Sequence, residues 1–112
     1  MAEELPFHLQ GNFAPVQDEL TVTDLEVVGT IPPELDGLYV RNGANPKSGF
    51  SEHWFLGDGM VHGVKLEAGR AAWYRNRYVR TKRLEHPDAE RVSPEGTIDR
   101  TLSCANTSVF AH

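Results

Sequence analysis

The sequence predicts an all-β protein, and three observations carry that prediction. β-Branched residues gather between Leu20 and Ile31, namely Thr21, Val22, Thr23, Val27, Val28, Thr30 and Ile31. Two later segments, Met60 to Leu66 and Ala71 to Arg80, alternate with period two and lie on either side of a glycine-containing turn. No stretch shows an apolar period of 3.6, and there is no internal repeat or low-complexity tract.

Residues 1–19 mix Gly, Pro, Asn and Gln with scattered apolar residues and no period, which suits an extended arm laid over a surface. Leu20 to Ile31 reads as strand-prone, and Pro32-Pro33 ends any ladder because proline has no amide donor. Leu35-Asp36-Gly37 turns the chain into a short strand, Leu38 to Arg41, and Asn42 to Gly49 reads as a loop. After His53-Trp54-Phe55, the glycines of Gly57-Asp58-Gly59 make a tight turn into Met60 to Leu66, whose His62, Val64 and Leu66 share one face. The turn Glu67-Ala68-Gly69-Arg70 joins this strand to Ala71 to Arg80, so the two are expected to pair as a β-hairpin. In the second strand Ala72, Tyr74, Asn76, Tyr78 and Arg80 point one way, and Ala71, Trp73, Arg75, Arg77 and Val79 the other. Thr81 to Arg100 is charged and proline-punctuated, as a surface excursion would be. Thr107 to Ala111 begins another β-prone segment, whose Val109 and Phe110 would leave an open edge if unpaired, so the chain is expected to be a piece of a longer protein.

Composition narrows the class. With 39% hydrophobic and 24% charged residues and no apolar run near the roughly 20 residues of a membrane-crossing helix, the chain has the make-up of a globular protein. Met1-Ala2-Glu3-Glu4 is acidic where a secretory signal carries a basic region, so no export signal is legible and a cytoplasmic location is expected. The single cysteine, Cys104, excludes an internal disulfide and a Cys-rich zinc site; it reads as a small buried apolar residue. Net charge is −5, but residues 1–36 hold eight of the sixteen acids and no Lys or Arg, whereas Lys65 to Arg91 hold eight of the eleven bases. That asymmetry admits an anionic partner, and equally the wet faces of strands.

Candidate chemistry is sparse. His8, His53, His62, His86 and His112 are potential ligands for zinc or iron, yet His53 and His62 are separated by a glycine turn, His8 is in the arm and His86 precedes a proline in a charged loop. Their spacing favours histidines with structural partners or in solvent. Gly57-Asp58-Gly59 lacks the third glycine and following helix of a dinucleotide cradle. Glu52 and Asp58 could act as a carboxylate pair only if folding brought them together. The run Trp73 to Arg83 interleaves aromatics and bases as a single-strand nucleic-acid platform does, but alternation puts Tyr74 and Tyr78 opposite Arg75 and Arg77. No nucleic-acid partner is therefore expected.

Three strings in order, Gly29 to Pro46, His53-Trp54-Phe55-Leu56-Gly57-Asp58-Gly59-Met60-Val61-His62, and Tyr74 to Thr81, strongly resemble the opening of the carotenoid cleavage oxygenases. These non-haem iron enzymes include stilbene-cleaving and retinoid-isomerising members. The resemblance runs from about Leu20 to the end of the chain; Leu56 departs from it, standing where the family usually has an acidic residue, which bears on local packing. It implies a seven-bladed β-propeller with Fe(II) on its axis, held by four histidines that glutamates help orient. It also implies an apolar tunnel in which dioxygen splits a conjugated carbon–carbon double bond.

In the family those histidines and glutamates lie beyond the matched region. The resemblance therefore assigns no catalytic, cofactor-binding or metal-binding residue to this chain, and His62 takes the place of a family histidine that reads as structural. Implied partners are a lipophilic polyene or stilbene and dioxygen, with membrane contact through apolar patches, although no amphipathic helix is legible. A four-stranded blade takes about 40 to 50 residues and a closed propeller at least about four blades, so 112 residues amount to roughly two blades' worth. The expected organisation is an arm over 1–19 and, over 20–112, the N-terminal strands and first blade region of an incomplete propeller, inactive by itself. The other readings are a non-catalytic binding or assembly module built on the same β unit, and a nucleic-acid binder using Lys65 to Arg91.

Overall fold

A computed structural model describes residues 4–89, 93–99 and 102–110. Its centre is one four-stranded antiparallel sheet: β1 (Thr21–Val22), β2 (Gly37–Ala44), β3 (Gly59–Glu67) and β4 (Arg70–Tyr78), in the order β1-β4-β3-β2. Two 3-10 turns, Phe7–Leu9 and Gly11–Phe13, precede it. A third, Trp54–Leu56, leads into β3, and a single helical turn, α1 (Lys82–Glu85), follows β4.

The expected hairpin is present. Only Ala68 and Gly69 separate β3 from β4, with φ of 50° and 78°. Positive φ at both positions is the signature of the type I′ turn, whose twist matches that of the strands. The register departs from simple alternation at one place: Lys65 faces Trp73 but Leu66 faces Ala71, so Ala72 is an extra residue on β4. This bulge moves Ala71 to the face of Tyr74, against the expectation that it shares a face with Trp73.

The bulge also accounts for the shortness of β1. Of the β-prone stretch from Leu20 to Ile31 only Thr21 and Val22 pair, with Arg75 and Tyr74. Two residues further along β4 the bulge breaks the regular ladder, and Val27 and Val28 lie exposed. In contrast β2 is longer than Leu38–Arg41, because Asn42, Gly43 and Ala44 pair with Val61, Met60 and Gly59 instead of looping. Helical content was missed at Lys82–Glu85, too short to show a period: the Thr81 hydroxyl accepts from the Leu84 N–H at 3.0 Å and Leu84 is buried. The segment from Thr107 to Phe110 forms no strand. It is held instead by the Asn42 amide, which donates to the carbonyls of Ala105 at 2.9 Å and Ser108 at 3.4 Å. Although length suggested two blades, the described residues build one sheet, and the molecule measures 57 × 45 × 18 Å.

Register divides the sheet into two faces. Tyr39, Arg41, Met60, His62, Val64, Tyr74, Asn76 and Tyr78 share one; Leu38, Val40, Asn42, Val61, Lys65, Trp73, Arg75 and Arg77 share the other. The N-terminal residues and α1 cover the first face, where Met60, Tyr78 and Leu84 form the core with Val16 against them. Residues 103–106 cross one end of the second. Among the described residues, no helix is long and apolar enough to cross a membrane.

The turn supplies a test of this geometry. Ala68 sits in the left-handed region that asparagine tolerates better than alanine. Ala68→Asn is expected to raise stability by about 0.5–1 kcal/mol, read as a higher urea midpoint at unchanged slope; a lower midpoint contradicts the turn.

Candidate functional site

The residues with chemical potential are chiefly histidines, and the fold engages the rings of His8, His53 and His62 with separate partners. His8 is buried in the arm, its Nε2 3.0 Å from the Ser51 carbonyl and 3.4 Å from the Ser51 hydroxyl. His53 caps the Trp54–Leu56 turn, its Nδ1 accepting from the Phe55 N–H at 3.1 Å. His86 ends α1, its own N–H donating to the Lys82 carbonyl. His112 lies outside the described residues. Among the described residues no three His, Cys, Asp or Glu side chains gather as a metal site would require.

His62 is the exception in its surroundings. It projects from β3 between Arg41 on β2 and Asn76 on β4, and its Nδ1 lies 2.7 Å from the Tyr74 hydroxyl. Burial lowers its pKa below 6.5, and the Arg41 charge lowers it further. The ring is therefore held neutral. The Tyr74 hydroxyl can donate to Nδ1 in the tautomer that carries the ring proton on Nε2.

Glu52 and Asp58 are not brought together as an acid–base pair. Asp58 accepts from the Lys47 N–H at 2.9 Å and faces a depression with Arg83, whereas Glu52 lines another with Pro6 and Phe55. Cys104 is not the buried apolar residue its isolation suggested. It is half-buried, with an Arg83 guanidinium nitrogen 2.6 Å from its sulfur. Sequence spacing held no signal for that contact between positions 21 apart.

The aromatic and basic run is consumed internally. The Arg75 guanidinium lies over the Trp73 ring at 4.4 Å, and Arg77 donates to the Leu20 carbonyl and the Thr21 hydroxyl. Arg80 pairs with Glu19 at 2.5 Å. Desolvation alone would raise the Glu19 pKa; the Tyr78 N–H, the Arg80 contact and the Arg77 charge outweigh it and hold the carboxyl below its usual range. Tyr78 shifts upward, first through burial, with Asp58 and Glu19 adding to the effect and an Asn45 hydrogen bond opposing it.

The Gly57-Asp58-Gly59 string serves close approach of backbone. A Cβ on Gly59 would stand 2.0 Å from the Ala105 carbonyl oxygen, and one on Gly57 would stand 2.9 Å from Pro46 Cδ. Gly59 N–H donates to the Cys104 carbonyl at 2.8 Å, and the Asp58 carbonyl accepts from Asn45 N–H at 2.7 Å. Only glycine lets the segment of residues 104–105 and the Asn45-Pro46 corner meet here.

A profile of the family described as retinal pigment epithelial membrane protein matches residues 13–112. The "Carotenoid cleavage oxygenase" of Mycobacterium tuberculosis is 47% identical over 119 residues, an alignment covering 99% of this chain and 23% of that protein. The chain belongs to the carotenoid cleavage oxygenase family. Among its relatives, the "Carotenoid 9,10(9',10')-cleavage dioxygenase 1" of Arabidopsis thaliana is 50% identical over 90 residues, 75% of this chain and 16% of that one. In three dimensions the chain superposes on Pseudomonas brassicacearum lignostilbene dioxygenase with a TM-score of 0.64 at 27% identity, covering 95% of this chain and 24% of the other. For Synechocystis apocarotenoid oxygenase the TM-score is 0.58 at 28% identity over 66% of this chain and 16% of the other. The chain thus spans less than a quarter of the length of these oxygenases.

The depressed pKa of His62 predicts a pH effect of definite sign. The unfolded chain binds the proton more tightly, so the contribution is complete above pH 6.5 and is lost as pH falls toward and through the folded value. His62→Gln is expected to flatten that acid-side decline while costing about 1 kcal/mol at neutral pH for the altered Tyr74 contact. Urea midpoints measured from pH 8 to pH 5 check it, and an unchanged slope contradicts the assignment.

Proposed function

We propose that this chain is the N-terminal sheet of an Fe(II)-dependent oxygenase that uses dioxygen to cleave a conjugated carbon–carbon double bond in a carotenoid, apocarotenoid or stilbene. The observation that carries the proposal is the 47% identity to the mycobacterial carotenoid cleavage oxygenase across 99% of the chain. The plant carotenoid dioxygenases and the superposition on lignostilbene dioxygenase support the same reaction class and leave the choice between polyene and stilbene substrates open.

In this reading the sheet is one blade of a seven-bladed propeller. The described residues do not fit an iron centre, since the rings of His8, His53 and His62 are each engaged by a separate partner and no three His, Cys, Asp or Glu side chains cluster among them. Iron would be held by histidines outside them and would supply the site at which oxygen is activated. The role of this chain is structural: its arm, β-sheet and residues 102–106 give an adjoining blade a preformed surface to pack against.

The test is direct. The purified 112-residue chain, supplied with Fe(II) anaerobically and then exposed to oxygen with a β-apocarotenal or a hydroxystilbene, is expected to hold no stoichiometric iron and release no aldehyde. A polypeptide carrying the same residues within a chain of its relatives' length is expected to do both. Iron binding and cleavage by the 112-residue chain alone, or neither by the longer one, contradicts the proposal.

A further inference from the structure

Between the arm and the sheet lies a depression of about 300 Å³ whose walls include Asn12, Phe13, Arg41, Asn45, Trp54 and His62. Arg41 and His62 are direct cross-strand partners on β2 and β3, so guanidinium and imidazole rise side by side from its floor. Lys65, Arg80 and Lys82 each pair with a carboxylate, at Asp36, Glu19 and Asp99. Arg41 makes no hydrogen bond or ion pair among the described residues, and no acidic side chain lines the depression. Its Nη1 lies over Gly43, 3.9 Å from where a Cβ would stand, so the absence of a side chain there leaves the fork open.

The remaining groups define the rest of a ligand. His62 Nδ1 is engaged by Tyr74, which leaves Nε2 as its unshared ring nitrogen. Phe13 and Trp54 meet edge to face at 5.1 Å and form an apolar wall beside the two cationic or donor groups. A planar two-oxygen anion matches the guanidinium fork, and a flat apolar body matches the rings.

We propose that Arg41 and His62 form a cradle for an aryl carboxylate, whose head group bridges the guanidinium and Nε2–H and whose ring rests on Phe13 and Trp54. The site stands on the geometry of this chain and does not depend on the oxygenase reading. The groups facing His62 are Arg41 from β2, Tyr74 and Asn76 from β4, and the uncharged Asn12 to Val16 of the arm. A bound carboxylate therefore adds the one negative charge the ring meets. It reverses the effect of Arg41 and raises the protonation midpoint of His62, so binding tightens as pH falls.

Benzoate is the probe. In the 112-residue chain with 13C-labelled imidazoles, saturating benzoate is expected to raise the NMR titration midpoint of His62 by on the order of one pH unit. The resonances of His8, His53 and His86 should stay in place. Benzyl alcohol, which keeps the ring without the charge, is expected to leave His62 unmoved. Arg41→Gln, at an exposed side chain, is expected to keep the fold and abolish the saturable shift; Arg41→Lys, which keeps charge without the fork, is expected to weaken it several-fold. The proposal is overturned if benzoate does not move His62, if Arg41→Gln responds like the parent chain, or if inorganic phosphate alone reproduces the shift at lower concentration.

Discussion

A buried primary amide has two donor hydrogens and an acceptor to satisfy, and Asn45 satisfies them by tying three parts of the chain together. Its Oδ1 accepts from the Val16 N–H at 2.6 Å, and its Nδ2 donates to the Val16 carbonyl and the Tyr78 hydroxyl, each at 2.9 Å. Asn76, wholly buried on β4, ties the arm further along through its Oδ1 alone, which accepts from the Leu20 N–H, while its Nδ2 has no partner among the described residues. The arm is not a strand of the sheet, so its backbone groups would be stranded over an apolar face without these side chains. With only Met60, Tyr78 and Leu84 in the core cluster among the described residues, apolar burial alone gives the arm little reason to settle. Each buried amide bond contributes about 1 kcal/mol net, and an unmade one costs more.

The strings that identify the family do this same kind of work. Asn45-Pro46 and Gly57-Asp58-Gly59 interlock through the Asn45 N–H to Asp58 carbonyl bond and through contact too close for any Cβ on Gly57 or Gly59. Behind them the carbonyls of Cys104 and Ala105 press on Gly59. Family membership is thus written in steric and hydrogen-bonding constraints at one end of the sheet, while the histidines nearby serve as caps and local acceptors.

Much of the sheet was legible in the sequence because its determinants are local. Alternation and the Ala68-Gly69 turn sufficed for the β3–β4 hairpin, and with register they place His62 beside Tyr74. The missing parts are non-local. The bulge at Ala72 leaves no mark in composition, yet it turns Ala71 over and limits β1 to two residues. The asparagine clamps join positions 29 and 56 apart, and no periodicity reports such pairs. Asn42 and Gly43 read as loop formers from residue type alone, but pairing with β3 holds them extended. Of the candidate groups, the place of His62 on the strand after the Gly57-Asp58-Gly59 turn was readable from alternation. The opening between Arg41 and His62 was not, because the arm that closes it is placed by the clamps.

Native-state hydrogen exchange measures the clamps most directly. If Asn45 and Asn76 hold the arm as described, the amides of Val16 and Leu20 exchange as slowly as those of the β3–β4 hairpin, and substituting Asn45 by alanine releases Val16 while β4 stays protected. If Val16 and Leu20 exchange at unfolded-chain rates in the unaltered protein while the hairpin is protected, the arm is not part of the folded unit and this account of the fold is wrong.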